Sequence, residues 1–309
     1  MSSRVRIFLA ALAVVLACGG CGLGPGPASK GGVSLTITRG FGSRQVHVAT
    51  SSKVPGSETV MRMLERSFTV STRYGGGFVQ SINGLAPSGA HNDWFYYVNG
   101  VQASKGAAST AVHAGDRIWW DLHDWSATES IPAVVGSFPA PFTSGIAGKR
   151  YPVTLECASD VGAACARVTK VLNGLHIPVS SQLLGAGSGP DTLGIVVGTW
   201  ADIRSQVAAQ LIAHGPGASG VYARFSGTRG AGLELLDPGG HVVRTLGAGA
   251  GLVAATADMS SVPAWMITGT DPAGVKAAAA ALTPQALHDH FALAVHGAQR
   301  LPVPVQASP

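Results

Sequence analysis

The sequence predicts an α+β domain followed by an α/β domain with a mixed sheet. Three observations carry that expectation. Short segments rich in β-branched and aromatic residues recur up to about residue 127; a Pro-rich stretch without periodicity follows, from 128 to 148; from Tyr151 onward, strand-like and helix-like periods alternate. A chain of 309 residues holds two domains of ordinary size, and 46% hydrophobic against 12% charged residues is enough to build a core for each.

In the first domain, residues 33–127, Val33 to Thr38 and Gln45 to Thr50 alternate on either side of Gly40-Phe-Gly-Ser43, which predicts a hairpin. Ser57 stands where a helix N-cap belongs, and Val60, Met61 and Leu64 follow at helical spacing. Thr69 to Tyr74, Phe78 to Ile82, Trp94 to Val98 and Arg117 to Leu122 supply further strands. Strand, strand, helix, then more strands is the β-grasp order.

Aromatic surface concentrates between Trp94 and Trp125. Trp94, Trp119, Trp120 and Trp125 are four of the six tryptophans. The phrases Phe78-Val-Gln-Ser-Ile-Asn-Gly84, Trp94-Phe-Tyr-Tyr-Val-Asn-Gly100 and Gly115-Asp116-Arg-Ile-Trp-Trp120 resemble, in order and spacing, the small domain at the C-terminal end of transcobalamin and intrinsic factor. The resemblance covers about a third of the chain. It implies a β-grasp-like fold and a corrinoid such as cobalamin as ligand. The carriers close their ligand site with an all-helical domain; here an α/β domain would supply the second jaw, with Trp200 and Trp265 at its strand ends.

The first residues read as an address. Arg4 and Arg6 precede an apolar run, Ile7 to Ala17, and Val15-Leu16-Ala17-Cys18 resembles a bacterial lipobox. Residues 1–17 are thus expected to be a signal peptide and Cys18 the lipidated residue, with Cys21 as rival and a plain secretory signal as the alternative. Residues 18–32, rich in Gly, Pro and Ser, would form a tether, placing the protein on the outer face of the cell membrane. Without Arg4 and Arg6, the 21 Lys and Arg fall to 19 against 16 Asp and Glu. A net charge near +3 without a basic stripe excludes nucleic-acid binding.

Cys157 and Cys165 remain for the exported part, where an isolated pair most simply forms one disulfide. Eight residues along one helix rise about 12 Å, beyond disulfide reach, so Cys157 must precede the helix and Cys165 lie in its early turns.

Residues 149–309 read as α/β. Strands are expected at Pro152 to Glu156, Leu175 to Ser180, Leu193 to Thr199, Gly220 to Phe225, Leu252 to Thr256, Trp265 to Thr270 and Phe291 to His296. Helices are expected at Asp160 to Asn173, at Ala201 to His214 with Ile203, Val207 and Leu211 on one face, and at Pro272 to Leu282. Asp237-Pro-Gly-Gly240 predicts a hairpin turn. Gly194 to Trp200 and Trp265 to Asp271 share one form, an apolar strand, then Gly-Thr, then a helix start.

Catalytic signatures are sparse. The sequence has no G-x-S-x-G, H-E-x-x-H or P-loop pattern, and Gly247-Ala-Gly-Ala-Gly251 precedes a strand rather than a helix. His113, Asp116, Asp121, His123 and Asp124 are expected to be a solvated polar face rather than a metal site, with Asp121, His123 and Trp119 on one side of a strand and Ile118, Trp120 and Leu122 on the other. His288 and His290 are expected to share one strand face, without a third ligand. The candidate ligand-binding residues are Trp94, Tyr97, Trp119 and Trp125 in the aromatic set, and Thr199, Trp200, Trp265 and Thr270 at the two helix starts; if exposed, Phe95, Tyr97, Trp119 or Trp125 would give a flat aromatic surface, and if buried, Trp94, Tyr96 and Trp120 fill a small core.

These readings converge on a non-enzymatic, lipid-anchored protein that needs no cofactor. It would capture a small molecule, with cobalamin as the sharpest expectation and a membrane transporter as a partner. The alternative is docking to an envelope protein or cell-wall polymer.

Overall fold

The structure is a computed structural model that describes residues 29–258 and 262–306. The expected signal peptide, Cys18 and most of the tether lie outside the described residues. The first strand, β1 (Ser29–Arg39), takes in residues 29–32.

β1 turns at Gly40 to Ser43 into β2 (Arg44–Val54), an antiparallel hairpin as the alternation predicted. The helix α1 (Val60–Ser67) is capped by Thr59, whose hydroxyl accepts from the Arg62 N–H, not by Ser57 as expected. β3 (Val70–Arg73) and β4 (Phe78–Ile82) form a separate hairpin. β5 (Asn92–Val98), the two-residue β6 (Val101–Gln102) and β7 (Arg117–Asp124) complete the main sheet, ordered β2-β1-β7-β5-β6 with β1 and β7 parallel. One face of it carries Leu35, Ile37, Trp94, Ile118, Trp120 and Leu122, which close a core over Val60, Met63 and Leu64 of α1.

Residues 128–148 wrap around the molecule rather than hang free. Val135, Phe138 and Phe142 are buried against the second half, and the Val135 N–H donates to the Phe291 carbonyl at 3.1 Å. One short helix, α2 (Ala140–Thr143), lies in this arm.

The second half opens with β8 (Val153–Cys157), then α3 (Gly162–Gly174) and β9 (Val179–Leu183), the last starting four residues later than Leu175 because residues 175–178 make the turn. Cys157 ends β8 and Cys165 sits in the first turn of α3, and they form a disulfide with Cα atoms 6.1 Å apart. β10 (Leu193–Thr199) follows. The single helix expected from Ala201 to His214 is broken into α4 (Trp200–Ile203) and α5 (Val207–Ala213), so Ile203 is buried while Val207 points outward. α6 (Pro216–Ser219) leads to an antiparallel meander of β11 (Ala223–Ser226), β12 (Gly232–Leu236) and β13 (Val242–Leu246). β14 (Ala250–Thr256), β15 (Ala264–Gly269), α7 (Pro272–Ala280), α8 (Pro284–Leu287), β16 (Ala292–His296) and β17 (Gln299–Val303) close the chain. Residues 288–290 precede β16 as a bend, so His288 and His290 do not share a strand face as expected.

The seven-stranded sheet runs β17-β16-β14-β15-β10-β8-β9, with β9, β8, β10 and β15 parallel and the rest antiparallel. Its inner strands, β10, β14 and β15 above all, are buried on both faces, which explains their near-continuous apolar runs, while the edge strands β9 and β17 are largely exposed. α3 and α7 cover one face. The other meets α5, the three-stranded meander and the first half.

Phe291 joins the two halves, with its ring 5.1 Å from Trp119, 5.2 Å from Phe41 and 5.5 Å from Tyr97. Phe291→Ala is expected to cost about 3–5 kcal/mol, read as a lower urea midpoint.

Candidate functional site

Strand alternation divides β7 sharply. Ile118, Trp120 and Leu122 face α1, leaving Arg117, Trp119, Asp121 and His123 on the opposite side. Tyr97 and Phe95 pair with Trp119 and Asp121 from β5, and Thr36 and Thr38 pair with the same two from β1. This face was expected to be solvated, with Tyr97 and Trp119 giving a flat aromatic surface if exposed. Instead Tyr97, Trp119, Asp121 and His123 are all at most 3% exposed, because the second half covers them. Three aromatic rings on one sheet face make it too apolar to leave in water.

Asp121 organises the covered face from within the first half. Its carboxylate accepts from the backbone N–H groups of Phe41 and Gly42, both at 2.9 Å, from the Thr38 hydroxyl, and from His123 Nδ1 at 2.9 Å. Thr38 in turn accepts from the Trp119 indole N–H at 2.7 Å. The two backbone donors converge because Gly40, Phe41 and Gly42 all have positive φ, 64°, 58° and 76°, which turns successive N–H groups inward. His123 is stacked between Phe95 and Phe41, with centroids at 4.4 and 4.5 Å. Held on both ring faces and at Nδ1, it is positioned as a packing element.

Close approach requires glycine at two points. A Cβ on Gly42 would stand 1.7 Å from the Asp289 carbonyl oxygen, and one on Gly136 would stand 2.8 Å from both the His290 nitrogen and the Trp119 ring. Where this contact ends, a cleft of about 640 Å³ opens between the halves. Ser34, Thr36, Gln45, Val48, Arg117 and Trp119 form one wall, Pro284, Gln285, His288 and Asp289 the other, and Gly136 and Ser137 the floor. Arg117 is fixed by donating to the Phe138 carbonyl at 3.1 Å.

The ionisable groups of the second wall are tuned by burial. Burial pushes the Asp289 carboxyl above its ordinary value; neighbouring His288 and Arg117 oppose that shift and buried Asp121 adds to it. Burial lowers His290. Two tyrosine hydroxyls at the seam, Tyr97 and Tyr222, have no hydrogen-bond partner among the described residues, and burial raises both phenols.

Of the residues picked out from the sequence, only Tyr97 and Trp119 come together, 5.8 Å apart between ring centres, and only Trp119 borders the cleft. Trp94 lies on the other face, in the α1 core. Trp125 is half-buried against His91. Trp200 stacks on Phe225 at 4.4 Å, and Trp265 packs among Phe138 and Phe142, so neither reaches the cleft as a second jaw. The two helix starts are closed from within. Thr199 donates to Asp202, and Asp271 accepts from Gly274 N–H while also holding Gly249 of the glycine loop. Thr270 donates to the carbonyls of Gly247 and Ala250. Sequence reasoning missed Thr38, Phe41, Phe291 and, apart from His288, the wall formed by Pro284, Gln285 and Asp289. The aromatic excess on the Asp121 face was the available signal that a cover had to come from elsewhere.

Residues 57–124 match the model of a domain of unknown function, DUF4430. A proposed metal-binding protein from Ruminococcus gnavus is similar at 16% identity, over 31% of this chain and 98% of its own, with a TM-score of 0.27. Haptocorrin in complex with Cbi is similar at 19% identity over 31% of this chain, with a TM-score of 0.24; the match spans 26% of haptocorrin. No curated protein matches the sequence. Among the described residues, no group of three or more His, Cys, Asp or Glu stands close enough to hold a metal ion.

Thr38→Val would leave the Trp119 N–H unpaired and remove one donor from Asp121. A loss of about 1–3 kcal/mol in denaturant unfolding is expected. Asp289 sets a pH dependence: because its folded-state pKa is raised, the folded form binds the extra proton, and stability declines as pH rises through the interval just above the ordinary carboxylate value. Asp289→Asn should flatten that decline in melting curves taken across the interval.

Proposed function

We propose that the protein is a non-catalytic, extracytoplasmic lipoprotein that captures a ligand in the cleft between its halves, the first of them a β-grasp-like domain, and that the ligand is cobalamin or a related corrinoid. The carrying observation is the cleft itself, about 640 Å³, with one wall from each half and the two halves packed together beside it through Phe41, Trp119 and Phe291. That volume lies in the ordinary range for ligand sites. Gln45, Gln285, Ser34, Thr36 and Ser137 offer amide and hydroxyl partners, and Val48, Pro284 and the edge of Trp119 offer apolar contact. A corrinoid has the same mixture, an apolar macrocycle rimmed by amides.

A non-catalytic role is supported by the burial of the Asp121 and His123 pair, both at most 2% exposed. Delivery to a membrane transporter would follow capture if Cys18 is lipidated.

The second reading, docking to an envelope protein, draws on Tyr74 and Phe78. These residues flank a run of three glycines at the tip of the β3–β4 hairpin, 87% and 43% exposed. Exposed aromatics of this kind are a feature of docking surfaces.

Equilibrium dialysis of the chain from Ser29 onward against cobalamin separates the two. One-to-one binding is expected, lost in Val48→Arg, which crowds the cleft from an exposed position, and retained in Tyr74→Ala. Absence of saturable binding would refute the corrinoid reading.

A further inference from the structure

The seven-stranded sheet carries a second cavity at the edge away from the first half. Val153 and Leu155 of β8 pack beneath α3, so Thr154 and Glu156 project from the opposite face. There Glu156 meets a cleft of about 310 Å³ lined by Val196 of β10, Ala264 of β15, Val207 and Leu211 of α5, and Pro190. Glu156 is 2% exposed.

A carboxylate at such depth needs compensation. Its Oε2 accepts from the Gly185 backbone N–H at 2.8 Å, and among the described residues that one neutral donor serves a group able to accept about four hydrogen bonds. The charged residues lining the cavity are Glu156 and Asp258, both acidic; no Lys, Arg or His lines it among the described residues. The rest of the lining is mainly apolar or small. An anionic group beneath apolar walls complements a cation attached to an apolar body.

We propose that this cavity binds a cationic amphiphile, a primary alkylammonium or arylalkylammonium, whose ammonium pairs with Glu156 and whose carbon chain lies along Val196, Val207 and Leu211. Metal ions fit poorly, since most of the walls offer no oxygen, nitrogen or sulfur ligand. The site is separate from the inter-half cleft and does not rest on the ligand-capture reading.

Calorimetric titration of the protein with hexylammonium tests the proposal, with hexanol and hexanoate as controls. One-to-one binding of hexylammonium is expected, with hexanoate excluded and hexanol weaker by about tenfold or more. Glu156→Gln keeps an oxygen for Gly185 but removes the charge, and should weaken hexylammonium by about tenfold or more. Val207→Lys places a competing cation on an exposed rim position, so it should weaken binding without altering the melting temperature; it decides the matter if Glu156→Gln does not fold. Absence of saturable hexylammonium binding, equal binding of hexanol, or binding indifferent to the variants would overturn the proposal and leave Glu156 as a clamp on the loop at Gly185.

Discussion

A buried carboxylate is costly unless its hydrogen-bonding capacity is met, and Asp121 is the point at which this molecule meets that demand. Four donors reach it: two backbone amides from the β1–β2 turn, a threonine hydroxyl and a histidine. Each of those donors sits in a segment that also touches the second half. Phe41 packs on Tyr222 and Phe291, and His123 lies edge-on to Phe291. The network therefore fixes the shape of the turn, and the turn fixes how the first sheet seats against the second.

That seating determines where the cleft can be. Glycine at 42 and 136 lets backbone approach backbone on the Asp121 side. Toward Ser34 and Val48 the sheet face becomes polar, the cover ends, and the gap to α8 remains open. The cleft is thus a consequence of one sheet face that is apolar and network-bound at one end and hydroxyl-rich at the other.

Most elements were legible in the sequence because their periods are local. The β1–β2 hairpin, the Cys157–Cys165 bridge, β10 and the Asp237 turn follow from alternation, spacing and turn chemistry. The split of the helix after Ile203 was not legible, since Arg204-Ser-Gln206 contains no glycine or proline. The site was legible by half. Alternation placed Trp119, Asp121 and His123 on one face, but whether water or protein lies above a face is a tertiary fact. Phe291, more than 160 residues away, supplies that cover. Likewise, Trp200 and Trp265 were identifiable as strand-end residues, yet their burial depends on Phe225 and on the arm at Phe138.

The aromatic seam at Phe291, seated by the turn that Asp121 holds, is expected to make the two halves one cooperative unit. Differential scanning calorimetry of the chain from Ser29 tests it most directly. The account predicts a single transition whose calorimetric and van't Hoff enthalpies agree, and which Asp121→Ala separates into two or broadens markedly. Two independent transitions in the unaltered protein would contradict it.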